Sequence, residues 1–237
     1  KMTKELQNRI DHIADFAADV AHELKNPITS VRSASETLGK IKNVKEQEKL
    51  IKVIQNDVYR VDRLINDISA ASRLDAELSR IEMKRINISN LLETLIDIRS
   101  STINCKIDFS KDHQNIYILG NENRIAQVFD NLIQNSVSFS KKNGIIRIHL
   151  QKIFGYIVVL VEDNGLGFSS GSLDKIFNRF YTERPKTEKF GNHSGLGLSI
   201  SKQIVQAHGG TIEAYNRFNK KKCVGATVKV TFNEIKK

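Results

Sequence analysis

Apolar side chains recur at Leu6, Ile10, Ile13, Ala17, Val20, Leu24, Pro27, Val31, Ala34, Leu38 and Ile41, an alternating four-three spacing that makes a sustained heptad seam. A chain that begins this way is committed to a long amphipathic helix seeking helical partners. A second stripe runs through Leu50, Ile54, Val61, Leu64 and Ile68 and is flanked by Ile51, Val58 and Ile65, a face broader than a two-stranded coil needs. The polar interval 39–46 lacks the stripe, and so short a connection makes the two helices antiparallel. Two helices cannot enclose faces of this width. The economical solution is a four-helix bundle made from the hairpins of two chains, so a homodimer is expected.

After about Arg80 the period changes. Segments 106–109, 116–119, 145–150 and 157–162 read as strands, with helical patterns at 88–99 and 123–139. A helix near 197–208 stops at Gly209-Gly210, and strands near 211–215 and 226–232 follow. The expected architecture has two domains: an antiparallel helical hairpin over 1–80 and an α/β sandwich of mixed order, not a regular βαβ repeat, over 81–237.

Composition narrows the partners. The longest aliphatic run, 157–161, falls far short of the roughly 20 apolar residues that span a bilayer, so neither a transmembrane segment nor a signal peptide is expected. Cys105 and Cys223 lie far apart with no CxxC, which suggests ordinary thiols in a reducing cytoplasm, not a disulfide framework or a zinc site. The net charge of +10 is spread along the chain and gathers at Lys220, Lys221 and Lys222 and at Lys236 and Lys237, without interleaved aromatics. It reads as solvated surface, and with no recognisable DNA- or RNA-reading module no nucleic-acid partner is expected.

If the seam positions are a and d, His22 falls at f, pointing away from the bundle core. A neutral imidazole is nucleophilic near pH 7, and a carboxylate bonded to one ring nitrogen would fix the tautomer and leave the other free to attack. Glu23 is the candidate base. Pro27, inside the same helical pattern, lacks an N–H and should bend or loosen the helix near the reacting residue. An isolated surface histidine would mean little; the surrounding string gives this one weight.

The second half carries nucleotide-site chemistry without a P-loop or a Rossmann fingerprint. Asp163-Asn-Gly165-Leu-Gly167 follows a strand and places an acid at its end beside two glycines that permit tight turning. Asn131 and Asn135 stand at i and i+4 on one helix face, where carboxamides can reach phosphate or metal oxygens. Phe177-Asn-Arg179-Phe180-Tyr181 and Ser194-Gly195-Leu196-Gly197-Leu198 come next, the latter opening a helix whose terminal amides suit phosphate. Each string alone reads equally well as a turn or a polar surface.

The segment Phe16-Ala-Ala-Asp-Val-Ala-His22-Glu-Leu-Lys-Asn-Pro27-Ile resembles the H-box of bacterial sensor histidine kinases, and the four later strings resemble, in order, the N, G1, F and G2 boxes of their ATP domain. That domain shares its fold with gyrase-like, Hsp90-like and MutL-like ATPases. The resemblance implies ATP-dependent phosphorylation of His22, transfer to an aspartate of a response regulator, and phosphatase activity assisted by Asn26. It further implies that Asp163 accepts from the adenine amino group, Asn135 ligates Mg²⁺, the stretch 165–197 closes as a lid, and Thr227 supports the adenine through water. Arg179 and Arg184 are candidates to stabilise charge on the transferring phosphate.

In two places the chain departs from the family pattern: Ser138 stands where many members carry lysine, and His193 replaces the first glycine of a GxGxG stretch. Neither removes the metal ligand or the adenine acceptor, so an active kinase is expected. The details Phe180-Tyr-Thr-Glu-Arg-Pro185 and Gly195-Leu-Gly-Leu-Ser-Ile-Ser201 resemble the ChvG/ExoS-type subgroup of envelope-stress sensors. That subgroup implies an OmpR-type regulator partner and a full-length inner-membrane protein of which this chain is the cytoplasmic part. A gyrase-type or Hsp90-type ATPase would share the nucleotide site but need no acceptor histidine on a dimer helix. A catalytically silent, nucleotide-regulated scaffold would find its only support in Ser138 and His193.

Overall fold

A computed structural model describes residues 2–78, 80, 82–141, 143–169, 171–181, 195–220 and 222–235, and for 2–13, 15, 70, 75 and 76 the backbone alone. The chain divides into two compact units, one built on the long helices as far as Leu74 together with Gly195 and Leu196, and the other on the remaining α/β part from Asp75.

The first unit is the antiparallel hairpin of α1 (Met2–Leu38) and α2 (Val44–Leu78). Asn43 starts α2: its Oδ1 accepts from the Lys45 N–H at 3.0 Å, satisfying an amide that has no partner inside the helix. Pro27 does not interrupt α1, which continues helical through it. The missing proline N–H falls opposite the carbonyl of Glu23, so the loosened turn is the one next to His22. Seam positions Pro27, Ala34 and Leu64 are buried, as are Ala71 and Leu74 further along α2. The gap in the α2 stripe between Ile54 and Val61 is filled by Asp57, itself buried, with Arg60 buried one turn later. Ile51, Val58 and Ile65, the flanking row, are exposed on the single chain.

The second unit is a five-stranded sheet in the order β2-β4-β5-β7-β6 with helices on one face, together with a two-stranded ribbon. The ribbon pairs β1 (Lys84–Asn87) antiparallel with β3 (Tyr117–Gly120). The sheet comprises β2 (Lys106–Lys111), β4 (Ile145–Ile153), β5 (Tyr156–Glu162), β6 (Thr211–Asn219) and β7 (Lys222–Asn233). Its β2–β4 pair is parallel and the other three pairs are antiparallel. Alternation along β4 and β5 buries Ile146, Ile148, Leu150, Val159 and Val161, which form the core with α3 (Ile88–Ser100), α4 (Glu122–Phe139) and α5 (Gly197–Ala207).

Capping asparagines fix where the helices begin. Asn87 accepts from Ser89 N–H at 3.1 Å and Asn90 N–H at 3.3 Å, and Asn121 accepts from Arg124 N–H at 3.2 Å. A fork-to-fork pair joins α3 to α4: Arg99 Nε and Nη2 donate to the two oxygens of Asp130 at 2.5 and 2.6 Å. β1, β6 and β7 differ most from the sequence reading, the other strands by one to three residues at their ends. β1 carries no strand signal, because its four residues include one buried apolar side chain, Ile86. β6 and β7 extend beyond 215 and start before 226, since their polar inner ends pair with each other instead of with an apolar core.

Candidate functional site

On α1, His22 and Asn26 are both exposed, and their spacing of one helical turn puts them on the same face. Glu23 is half-buried, and its Oε2 accepts from Arg60 Nη2 of α2 at 3.2 Å. Arg60 is 7% exposed, and its Nε is buried without a partner among the described residues, so the bond to Glu23 is the guanidinium's fixed polar contact. The result is an exposed imidazole next to a carboxylate held in place from the facing helix.

In the second unit the end of β5 delivers Asp163 into the interior at 7% exposure. Its Oδ1 accepts from the N–H groups of Gly165 at 2.8 Å and Ala226 at 3.1 Å, while Oδ2 makes no hydrogen bond among the described residues. Burial pushes this carboxyl above its ordinary range; the two N–H bonds and the nearby Arg217 charge pull the other way. An acid in this setting presents one oxygen as an oriented acceptor.

The glycines around it are required by close approach. A Cβ on Gly165 would stand 2.3 Å from the carbonyl oxygen of Phe139 at the end of α4. Gly167 has φ +75, and a Cβ there would meet Cys223 Sγ at 2.4 Å and Asn216 Oδ1 at 2.6 Å.

Asn131 and Asn135 share a face of α4 but do different work. Asn131 Nδ2 donates toward Gly197 O at 3.4 Å and Ser201 Oγ at 3.5 Å, tying α4 to the first turn of α5. Asn135 makes no hydrogen bond among the described residues, so its carboxamide is available to a ligand. No cluster of His, Cys, Asp or Glu suited to an all-protein metal cage occurs among the described residues. One amide oxygen completed by phosphate and water oxygens is the donor set Mg²⁺ favours, so Asn135 fits that ion.

Phe180 is buried with φ +61, an unusual backbone state for an aromatic residue, and Arg179 beside it is half-buried. Phe177 anchors the same turn, lying under Lys202 Nζ of α5 at 5.7 Å from the ring centre. Gly195 has φ +72, Leu196 is buried, and Gly197 and Leu198 begin α5. Arg184, His193 and Ser194 lie outside the described residues.

The structure does not bring Thr227 to the carboxylate of Asp163. Thr227 pairs with Glu162 across β5 and β7, is fully buried, and its Oγ1 lies 3.5 Å from Glu162 Oε1. Strand alternation puts it on the face opposite Ala226, the residue whose N–H does reach Asp163. Sequence reasoning also missed Arg60, Asn216 and Arg217, which carry no motif; the sole signal in the sequence is the polar gap in the α2 stripe.

Comparison with known proteins places both units. Residues 12–77 match the His Kinase A (phospho-acceptor) domain, and 120–235 match the Histidine kinase-, DNA gyrase B-, and HSP90-like ATPase family. The chain is 49% identical over 226 residues to Sensor protein ChvG of Rhizobium meliloti (strain 1021), covering 91% of this chain and 39% of that protein. It is 47% identical over 231 residues to Sensor protein ChvG of Agrobacterium fabrum, covering 93% and 39%. The chain thus spans about two fifths of the length of these relatives. Among solved structures, histidine kinase ThkA in complex with the response regulator protein TrrA aligns with a TM-score of 0.75 and 26% identity over 97% of this chain and 64% of that one. With a phospho-acceptor hairpin followed by the matching ATPase fold, the chain belongs to the sensor histidine kinase family, of which it forms the catalytic core.

Proposed function

We propose that this chain takes the γ-phosphate of ATP onto His22 and passes it to an aspartate of a response regulator. The carrying observation is the exposed His22 beside a carboxylate that Arg60 holds at 3.2 Å. In the transfer the bond between the γ-phosphorus and the bridging oxygen breaks, a nitrogen–phosphorus bond forms on the ring, ADP leaves, and the ring proton passes to Glu23. Asp163, with one oxygen fixed by two backbone N–H groups, presents the other to the adenine amino group. Asn135 supplies an oxygen to Mg²⁺, which when bound neutralises phosphate charge. Arg179 stabilises charge on the transferring phosphate, and the stretch 165–197 serves as the lid.

The domain boundary falls near residue 80, and this junction is the hinge that lets the nucleotide meet His22. Thr227 supports the adenine through water, from a strand position where its hydroxyl also lies 3.5 Å from Glu162 Oε1. The exposed row Ile51, Val58 and Ile65 supports a homodimer. The resemblance to the ChvG/ExoS-type subgroup, with which the two ChvG relatives agree, implies an OmpR-type regulator and a membrane protein whose cytoplasmic part is this chain, while the ThkA–TrrA complex supports docking of a regulator on such a core. Asn26 orients a water that dephosphorylates the regulator, a role supported by the exposed face it shares with His22.

The test is incubation with γ-labelled ATP and Mg²⁺, with His22→Gln alongside. Acid-labile, base-stable label that vanishes in the variant is the expected result. Label that persists in the variant moves the acceptor elsewhere.

A further inference from the structure

Neighbouring residues on an extended strand point to opposite faces. In β6 that alternation sends Asn216 and Arg217 to the two sides of the loop 163–168. Asn216 grips the far end: its Oδ1 accepts from the Phe168 N–H at 2.6 Å and its Nδ2 donates to the Phe168 carbonyl at 2.8 Å. Arg217 grips the near end: Nη2 donates to the Asp163 carbonyl and Nη1 to Glu162 Oε2 at 2.9 Å. Thr227 Oγ1 lies 3.5 Å from the second oxygen of Glu162, which keeps that acid in place beneath the guanidinium.

Two glycines clear the way for these grips. Gly225 pairs with Arg217 in the ladder and has φ +151; a Cβ there would stand 2.0 Å from the Asp163 carbonyl oxygen and 2.9 Å from Arg217 Nη2. Gly167 leaves room for Asn216 Oδ1, as its own Cβ would sit 2.6 Å away. A register shift follows directly, between Arg217 and Phe218, so the ladder is interrupted where the loop has been secured and resumes with Phe218 opposite Cys223.

We propose that Asn216 and Arg217 are positioning residues of the nucleotide site, a two-sided clamp that holds the loop 163–168 by its ends and keeps the open oxygen of Asp163 aimed at the adenine amino group. The inference rests on the reading of Asp163 as the adenine acceptor. A short loop with two glycines has much backbone freedom to lose, and freezing it during folding leaves less to lose when nucleotide binds. Neither side chain needs to touch the nucleotide. The clamp therefore acts on affinity and base selectivity, and turnover at saturating ATP is left intact.

The experiment measures binding of ADP and of purine riboside 5′-diphosphate, which lacks the exocyclic amino group, to the 237-residue chain by calorimetry, with autophosphorylation kinetics in parallel. The unaltered chain prefers ADP. Asn216→Ala and Arg217→Gln each weaken ADP and raise the KM for ATP by about tenfold, the size of a lost backbone hydrogen bond, with kcat within about twofold. Binding of the amino-free analogue changes little, so the preference for ADP collapses. If Arg217→Gln does not fold, Arg217→Lys, which keeps the charge and loses the fork, carries the test together with Asn216→Ala. Variants that weaken both ligands equally, or neither, overturn the clamp while Asp163 keeps its role. An unaltered chain that binds both ligands alike overturns the reading of Asp163 and the clamp with it.

Discussion

Arg60 Nη2 lies 3.2 Å from Glu23 Oε2, linking the middle of α2 to the residue next to the exposed His22. The side chain of Arg60 is 8% exposed and that of Glu23 25%, so the pair sits where solvent screens it only in part. Its worth is chiefly geometric, because a carboxylate on a helix surface otherwise samples several rotamers. Glu23→Gln should cut labelling of His22 by about a hundredfold or more, the range of a lost general base. Arg60→Gln should cost about tenfold, as a positioning contact does, and leave ADP affinity unchanged. Initial rates of label incorporation check both, and an Arg60→Gln chain that labels at the unaltered rate would show that Glu23 needs no orientation from α2.

Much of this site is legible in the sequence because its chemistry sits in short strings. The heptad seam places His22 outward, and alternation of apolar residues places Asp163 at a strand end. Arg60, Asn216 and Arg217 are illegible there for a common reason: each acts on a residue distant in sequence, through a bond that neither periodicity nor spacing encodes. Asn216 and Arg217 look like the polar end of a strand and are instead paired inside a hairpin. The partner of Thr227 is equally illegible, since the period of two that identifies its strand does not name Glu162 as the acid its hydroxyl approaches.

His208 joins the end of α5 to the start of α4. Its Nδ1–H donates to the Ile204 carbonyl at 2.7 Å, and its Nε2 accepts from the Asn121 N–H at 3.0 Å, so the ring must be neutral. Burial holds its pKa below the ordinary value of 6.5. Below pH 6.5 the unfolded chain takes up a proton that the folded chain refuses, so stability is lost as pH falls through that value and is fully present above it. Urea unfolding at a series of pH values should show the midpoint dropping on the acid side. In His208→Gln, whose amide oxygen can accept the same N–H without titrating, that drop should be smaller; an unchanged slope would assign it to other groups.

Gly165 tests how tightly the loop seats against α4. A Cβ at this position would lie 2.3 Å from the Phe139 carbonyl oxygen, and backbone cannot swing aside as a side-chain tip can. Gly165→Ala should weaken ADP by about tenfold or more and lower stability by about 1–3 kcal/mol, as overpacking does. Gly39→Ala, whose nearest contact is Glu36 O at 4.0 Å, should change neither. Calorimetric ADP binding and thermal unfolding of the two variants decide the point, and a Gly165→Ala chain with normal affinity would mean that the loop tolerates displacement.

Ile51, Val58 and Ile65 repeat every seven residues along α2 and are 42, 47 and 49% exposed in the single chain. A row about half exposed forfeits roughly 1 kcal/mol per side chain relative to full burial, which two hairpins would recover by packing together. In the proposed dimer the central Val58 is the sensitive position, since a charge there would be desolvated from both sides of a twofold interface. Val58→Glu should convert a dimer into a monomer at micromolar concentration while leaving ADP affinity of the second unit unchanged. Light scattering after gel filtration reads the mass directly. A Val58→Glu chain that remains dimeric would move the interface to another face of the hairpin, and an unaltered chain that runs as a monomer would leave the row to a different partner.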